Sequence, residues 1–265
     1  LTINGDFNIN PDAASALALT VNMGAGITVG ATKTTTINGI NLVTSNLSTS
    51  NGASDFALST GKLDIATGGT LTANGSTVTL TGTTSTLFTR TGTFTQGTST
   101  VIMNPDAAVT LTSGTITFNN LTLSPTITVA RTYTLGAGAL TINGDLSINP
   151  TAASALALTV NMGAAITVAA TGTTTVTRTT SATSNLDTTG TNYALSSGKL
   201  DIATGGTLTA NGSTVTLTAT TSTLFTRTGT FTAGTSTVIM NPDAAVTLTS
   251  GTITFNNLTL SPTIT

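Results

Sequence analysis

The chain has 265 residues, of which 6% are charged and 71 are threonine; it has no Cys, His, Trp or Glu, and its net charge at pH 7 is −2. Seven scattered Lys and Arg make no basic patch to neutralise phosphates, which argues against nucleic-acid binding. Without Cys there are no disulfides and no thiolate metal sites, and no apolar run approaches the roughly 18 residues that span a bilayer, so no membrane insertion is expected in this segment. Thr and Val favour strands, while the helix formers Glu and Gln are reduced to the single Gln96. The composition predicts an all-β fold.

The first stretch, "LTINGDFNINPDAASALALTVNMGAGITVGAT" at 1–32, starts in mid-pattern, so a processed or cropped start is expected. "NPDAA" at 10–14 returns at 104–108 and 241–245, with "NPTAA" at 149–153. Asn, Pro and Asp in that order predict a type I turn, because Pro presets φ at the second position. A short helix entered at Asn10–Pro11 is the other reading. One carboxylate per turn is too few for the six to eight oxygens that calcium takes.

Residues 38–56, "NGINLVTSNLSTSNGASDF", precede "KLDIATGGTLTANGSTVTLT" at 62–81, whose twenty letters recur unchanged at 199–218. The duplication is wider than that. Residues 1–32 return at 140–171 with an offset of 139, and 62–128 return at 199–265 with an offset of 137 and two substitutions, Gly82 to Ala219 and Gln96 to Ala233. The two lost residues fall where the copies disagree, between 38–56 and 177–193. There Ile40, Leu42 and Val43 meet Thr179, Ser181 and Ala182, losses that a core strand would not tolerate. This stretch is expected to be a loop projecting from the side of the fold. Its candidate contact residues are Asn46, Asp55 and Phe56 in the first copy and Arg178, Asp187 and Tyr193 in the second.

From residue 92 onward apolar–Thr–apolar triplets recur: "VTL" at 109, "ITF" at 116, "LTL" at 121, "ITV" at 127, "YTL" at 133 and "LTI" at 140. Each alternates inward and outward side chains, the period-2 signature of a strand. Three such strands with their turns make about 20 residues, so a unit would hold about seven coils. Leu63, Ile65, Val78, Leu80, Val101, Met103, Val109, Leu111, Ile116 and Phe118 are expected to point inward. Lys62, Asp64, Thr77, Thr79, Thr110 and Thr117 are expected to point outward.

No Pro-rich or charged linker divides the copies, and the joining stretch "VARTYTLGAGA" at 129–139 keeps the same alternation. The expectation is one continuous β-solenoid, with a first repeat unit over 1–139 and an incomplete second over 140–265, a window on a longer array. Many links lack the chemistry of two-residue hairpins, which disfavours a sandwich. Uneven spacing disfavours the hexapeptide-stepped left-handed helix against a right-handed parallel β-helix.

"GTFTQGTSTVIMNPDAAVTLTSGTITFNNLTLS" at 92–124 resembles the Thr/Gly-rich repeats of giant bacterial surface proteins, in the style of filamentous-haemagglutinin and autotransporter-adhesin β-helices. The resemblance is one of pattern along the whole chain. It implies a right-handed parallel β-helix at the cell surface, working as stalk, adhesin or fibre.

No catalytic residues, cofactor or metal are expected, because acid–base chemistry would have to be built from Asp, Lys, Arg and Tyr alone. The leading expectation is a structural repeat of an extracellular fibre, sheath or surface stalk. Its partners would be further copies of the repeat, end to end and laterally. An adhesin that binds glycans through the side loops is the alternative, and an ice-binding Thr surface a minor one. Asn46, Asn74, Asn120, Asn211 and Asn257 match the N-glycan acceptor pattern, which arises readily by chance in a Thr-rich chain.

Overall fold

In the computed structural model, which describes residues 1–136, 138–220, 223–249 and 251–262, the chain is all-β. Among the described residues every strand pairing is parallel, apart from one isolated antiparallel bridge between Ser50 and Asp55. The strands are short because only two to six residues alternate before a corner, often of Gly, Asn or Pro, interrupts them. None can bury its apolar side alone. Each is completed by its equivalent one coil later, stacked about 4.8 Å away.

The stack has three faces. The first carries 11 strands, among them Thr77–Leu80, Thr100–Met103, Asn120–Leu123, Leu146–Ile148 and Thr173–Val176, and it runs through the copy boundary without a break. The second carries ten, including Lys62–Ile65, Val109–Thr112, Arg131–Leu135 and Gly206–Thr209. The third face is a four-stranded sheet continued by a seven-stranded one. Both parts lie between the second face and the first in chain order, and Phe94 and Phe118 bridge them with ring centroids 5.6 Å apart. A β-solenoid with three short strands per coil is thus what the chain forms, with about ten turns.

The coil is longer than the triplet spacing suggests. Successive coils are about 25 residues apart, from 20 between Leu58 and Val78 to 31 between Ile27 and Leu58. One of the six triplets explains the difference. "ITV" at 127–129 is a corner, in which Ile127 is buried and Val129 is 48% exposed. Strand Ile116–Phe118 therefore meets its successor Leu140–Ile142 after 24 residues. The helix alternative at Asn10–Pro11 is not found. Asp12–Ala13 is extended and pairs with Ile40–Asn41, and the other Asn-Pro stretches are corners.

All ten residues expected to point inward are buried. Those expected outward lie half-buried on the sheet surfaces. Six of the eight Phe form two triangles, Phe88–Phe94–Phe118 and Phe225–Phe231–Phe255, with centroids 5.6–6.3 Å apart. Rings tilted or edge-on at that spacing add to their area burial.

The repeat is out of phase with the coil. Among the described residues nineteen strands precede Leu140–Ile142, the counterpart of the first strand; two of them, Asp12–Ala13 and Ile40–Asn41, pair with each other and with no other strand. The remaining 17 divide among three faces as five and two-thirds coils. Every strand of the second copy therefore lies one face away from its counterpart. Lys62–Ile65 is on the second face and Lys199–Ile202 on the first; Gly69–Thr72 is on the third and Gly206–Thr209 on the second. The same twenty letters are therefore shown to the surroundings on different faces.

Candidate functional site

The segment expected to project as a loop is part of the wall. Thr44–Ser48 is a strand of the third face, with Leu47 aligned to Val21 and Leu71; its counterpart Thr183–Asp187 aligns Leu186 with Val160 and Leu208. The apolar losses that suggested a loop fall on a corner. Ile40 is half-buried and Leu42 is 61% exposed, so exposed Thr179 and Ser181 replace them at little cost. Only Val43, exchanged for buried Ala182, belongs to the core. The length change is confined to the short link after this strand, 49–57 against 188–194.

The six residues singled out from the sequence are not brought together. Asn46, Asp55 and Phe56 share one coil, and Arg178, Asp187 and Tyr193 lie in and beside the counterpart coil, 17 strands on. Most are committed to neighbours. The Asn46 side chain accepts from Thr72 Oγ1 at 2.9 Å, and Asp55 accepts from the Gly75 amide at 3.1 Å. Asn192 takes over that second role at Gly212, at 2.8 Å. Asp187 accepts from the Thr189 amide and from Asn211 Nδ2, both at 2.7 Å. Phe56 and Tyr193 are half-buried against the core, and Arg178 is exposed. Three more of the acceptor-pattern asparagines are also engaged: Asn74 and Asn211 turn corners at φ near 50°, and Asn120 Oδ1 accepts from the Asp145 amide at 2.9 Å.

The densest polar constellation lies where the first copy meets the joining stretch. Asp106, in the second "NPDAA", accepts from Arg131 Nε at 2.7 Å, from Thr128 Oγ1 at 2.6 Å and from the Thr128 amide at 3.2 Å. It is the one ion pair among the described residues. The Arg131 hydrogen bond, and after it those from Thr128, hold the Asp106 carboxyl down at about 2. One coil on from Val109, Tyr133 is wholly buried and its hydroxyl donates to the Pro105 carbonyl at 2.6 Å. Burial, with the nearby Asp106 charge, pushes that phenol far above its ordinary value. The carboxylate is held by three donors and the phenol stays neutral at neutral pH. They fasten one coil to the next. The sequence signal was present: Arg131 follows Asp106 by 25 residues, one coil, which a 20-residue coil conceals.

Two other features lie at the ends of the stack. At the last described coil an apolar cleft of about 590 Å³ is lined by Met240, Pro242, Leu248, Leu258 and Leu260 among others. At the first, Leu17 and Leu19 border a smaller one of about 180 Å³. Among the described residues no group of His, Cys, Asp or Glu is placed to hold a metal ion, and no helix is long and apolar enough to cross a membrane.

These features define a tandem-repeat, three-faced parallel β-solenoid. No family model matches the chain, and no curated protein or solved structure matches it either.

Proposed function

We propose that the chain is a structural repeat segment of an extracellular fibre, sheath or cell-surface stalk, a non-catalytic spacer that sets distance by repetition. The observation that carries this reading is the passage of the first face through the copy boundary. Leu121 aligns with Leu146, and Leu146 with Thr174, in the same parallel pairing as inside a copy. Adding a repeat adds rod and no new domain. At about 4.8 Å per coil, five and two-thirds coils lengthen the rod by about 27 Å. Localisation outside the cell rests on the resemblance in pattern to bacterial surface repeats and on the near-absence of charge.

The rod is expected to lengthen in equal steps. Chains with two, three and four repeats, imaged singly or measured by small-angle scattering, should differ by about 27 Å each. Lengths that do not grow with repeat number, as when repeats fold back on one another, would overturn the spacer reading.

A further inference from the structure

In an Asn-Gly pair the side-chain amide and the next backbone nitrogen can meet with little hindrance, because glycine has no Cβ. The pair occurs six times, at 4–5, 38–39, 51–52, 74–75, 143–144 and 211–212. The fold treats the six differently. In four of them the glycine amide is donated to a neighbouring coil: Gly39 to the Thr67 carbonyl at 3.1 Å, Gly75 to Asp55 Oδ2 at 3.1 Å, Gly144 to the Asn119 carbonyl at 2.7 Å and Gly212 to Asn192 Oδ1 at 2.8 Å. Two of these asparagines are tied through the side chain as well. Asn74 Nδ2 donates to Ser48 Oγ and to the Thr72 carbonyl, and Asn211 Nδ2 donates to Asp187. Asn51 and Gly52 stand apart. Both are exposed on the link 49–57, and Gly52 has φ 88° with open space around it. Asn51 Oδ1 accepts from the Ala53 amide at 3.0 Å and from the Ser54 amide at 2.9 Å. The Gly52 amide donates to Ser50 Oγ at 3.1 Å, and Ser50 Oγ donates to the Ser54 carbonyl at 2.9 Å.

We propose that Asn51 is a site of self-modification, closing on Gly52 to a succinimide. The Gly52 nitrogen attacks Asn51 Cγ and forms the new C–N bond. Its proton passes through Ser50 Oγ, which already accepts that N–H, to water. The side-chain nitrogen leaves as ammonia. Water then opens the ring at either carbonyl, giving aspartate or isoaspartate. The two amides on Oδ1 point at the oxygen that gains negative charge as Cγ becomes tetrahedral, so they favour the reaction as an oxyanion hole does. The product carries one more negative charge, in the same link as Asp55. The counterpart link, 188–194, contains no Asn-Gly pair, so the change marks the first copy alone.

The test incubates the 265-residue chain in mildly alkaline buffer and follows each asparagine by peptide mass mapping, as the mass gained when the amide becomes an acid. Asn38 and Asn51 fall on one tryptic peptide, 34–62, so fragmentation compares them directly. Asn51 should convert about tenfold faster in the folded chain than in the chain unfolded by denaturant, where all six pairs react alike. Asn38, Asn74, Asn143 and Asn211 should convert more slowly folded than unfolded. Asn4, which has neither arrangement, should keep the unfolded rate. Ser50→Ala should slow Asn51 severalfold and leave the other five pairs unchanged. An Asn51 that reacts no faster folded than unfolded, or no faster than Asn38, would overturn the proposal, as would a Ser50→Ala chain that reacts at the wild-type rate.

Discussion

Gly69 has no room for a side chain: a Cβ there would overlap the Ile37 carbonyl oxygen of the preceding coil, and one at Gly206 would overlap that of Val176. The glycine before each, Gly68 and Gly205, turns the corner at φ 78°. Gly69→Ala should therefore cost roughly 1–3 kcal/mol by forcing two coils apart, read from the denaturant midpoint. Core positions make a second test at this scale. Leu71 and Leu208 are counterparts on different faces, each fully buried between a Leu and a Phe in register. Either changed to Ala should cost about 2–5 kcal/mol, and the two costs should match, because the surroundings travel with the repeat and not with the face. A large difference would show that the copies pack differently. The apolar positions were legible in the sequence because period-2 alternation marks them directly. The buried threonines were not. Thr35 faces inward and donates to Thr60 Oγ1 at 2.9 Å, and Thr174 pairs with Ser197 at 2.8 Å. A Thr within "TTT" carries no mark of its direction until its partner one coil on is known.

The strands are nearly interchangeable, and the corners carry the individuality. Coils of 20 to 31 residues still stack in register, because the additional residues are taken up at corners such as 10–17 and 49–57. For the same reason uneven coil length does not prevent a regular hydroxyl surface. An outward row on the first face reads Thr28, Ser59, Thr79, Ile102, Thr122, Ser147, Thr175, Asp201, Thr226, Thr249. Ile102 and Asp201 interrupt it. Among the corners, the one fastened by Asp106 has a defined pH signature. Its folded carboxyl, at about 2, lies below the ordinary value near 4, so its contribution is fully present above about pH 4 and is lost as pH falls through about 2. Arg131→Ala should remove about 1 kcal/mol at neutral pH, and wild type and variant should converge in acid. Tyr133→Phe strands a buried carbonyl and should cost about 1–3 kcal/mol below pH 10. Because the folded phenol titrates above the unfolded one, that contribution declines only as pH rises beyond about 10. A constant difference between wild type and Arg131→Ala down to pH 1 would remove the ion pair from the account.

At the scale of the whole molecule, the mismatch between 17 strands and three faces is what distinguishes this array from a simple stack. A repeat of six whole coils would show the same surface always on the same side. Here each repeat turns by one face, and three repeats restore the first direction. The sequence disclosed the repeat and the stacking, because both are written in identity and alternation. It concealed the phase, because that depends on counting strands correctly, and "ITV" at 127–129 reads as a strand but is a corner. Lys62 and Lys199, identical in sequence context, accordingly sit on adjacent faces. Contacts made through such a side chain are spread around the rod instead of being confined to one side.

The absence of cysteine allows the phase to be measured directly. A single Cys placed at position 79 of every unit in a six-repeat array, labelled with a small gold cluster, reports the azimuth of successive repeats in electron cryomicroscopy. The account expects labels that advance by about 27 Å and turn by about 120° per repeat, so that those on one side recur every about 82 Å. Labels in a straight line along one side, spaced by a whole number of coils, would contradict it.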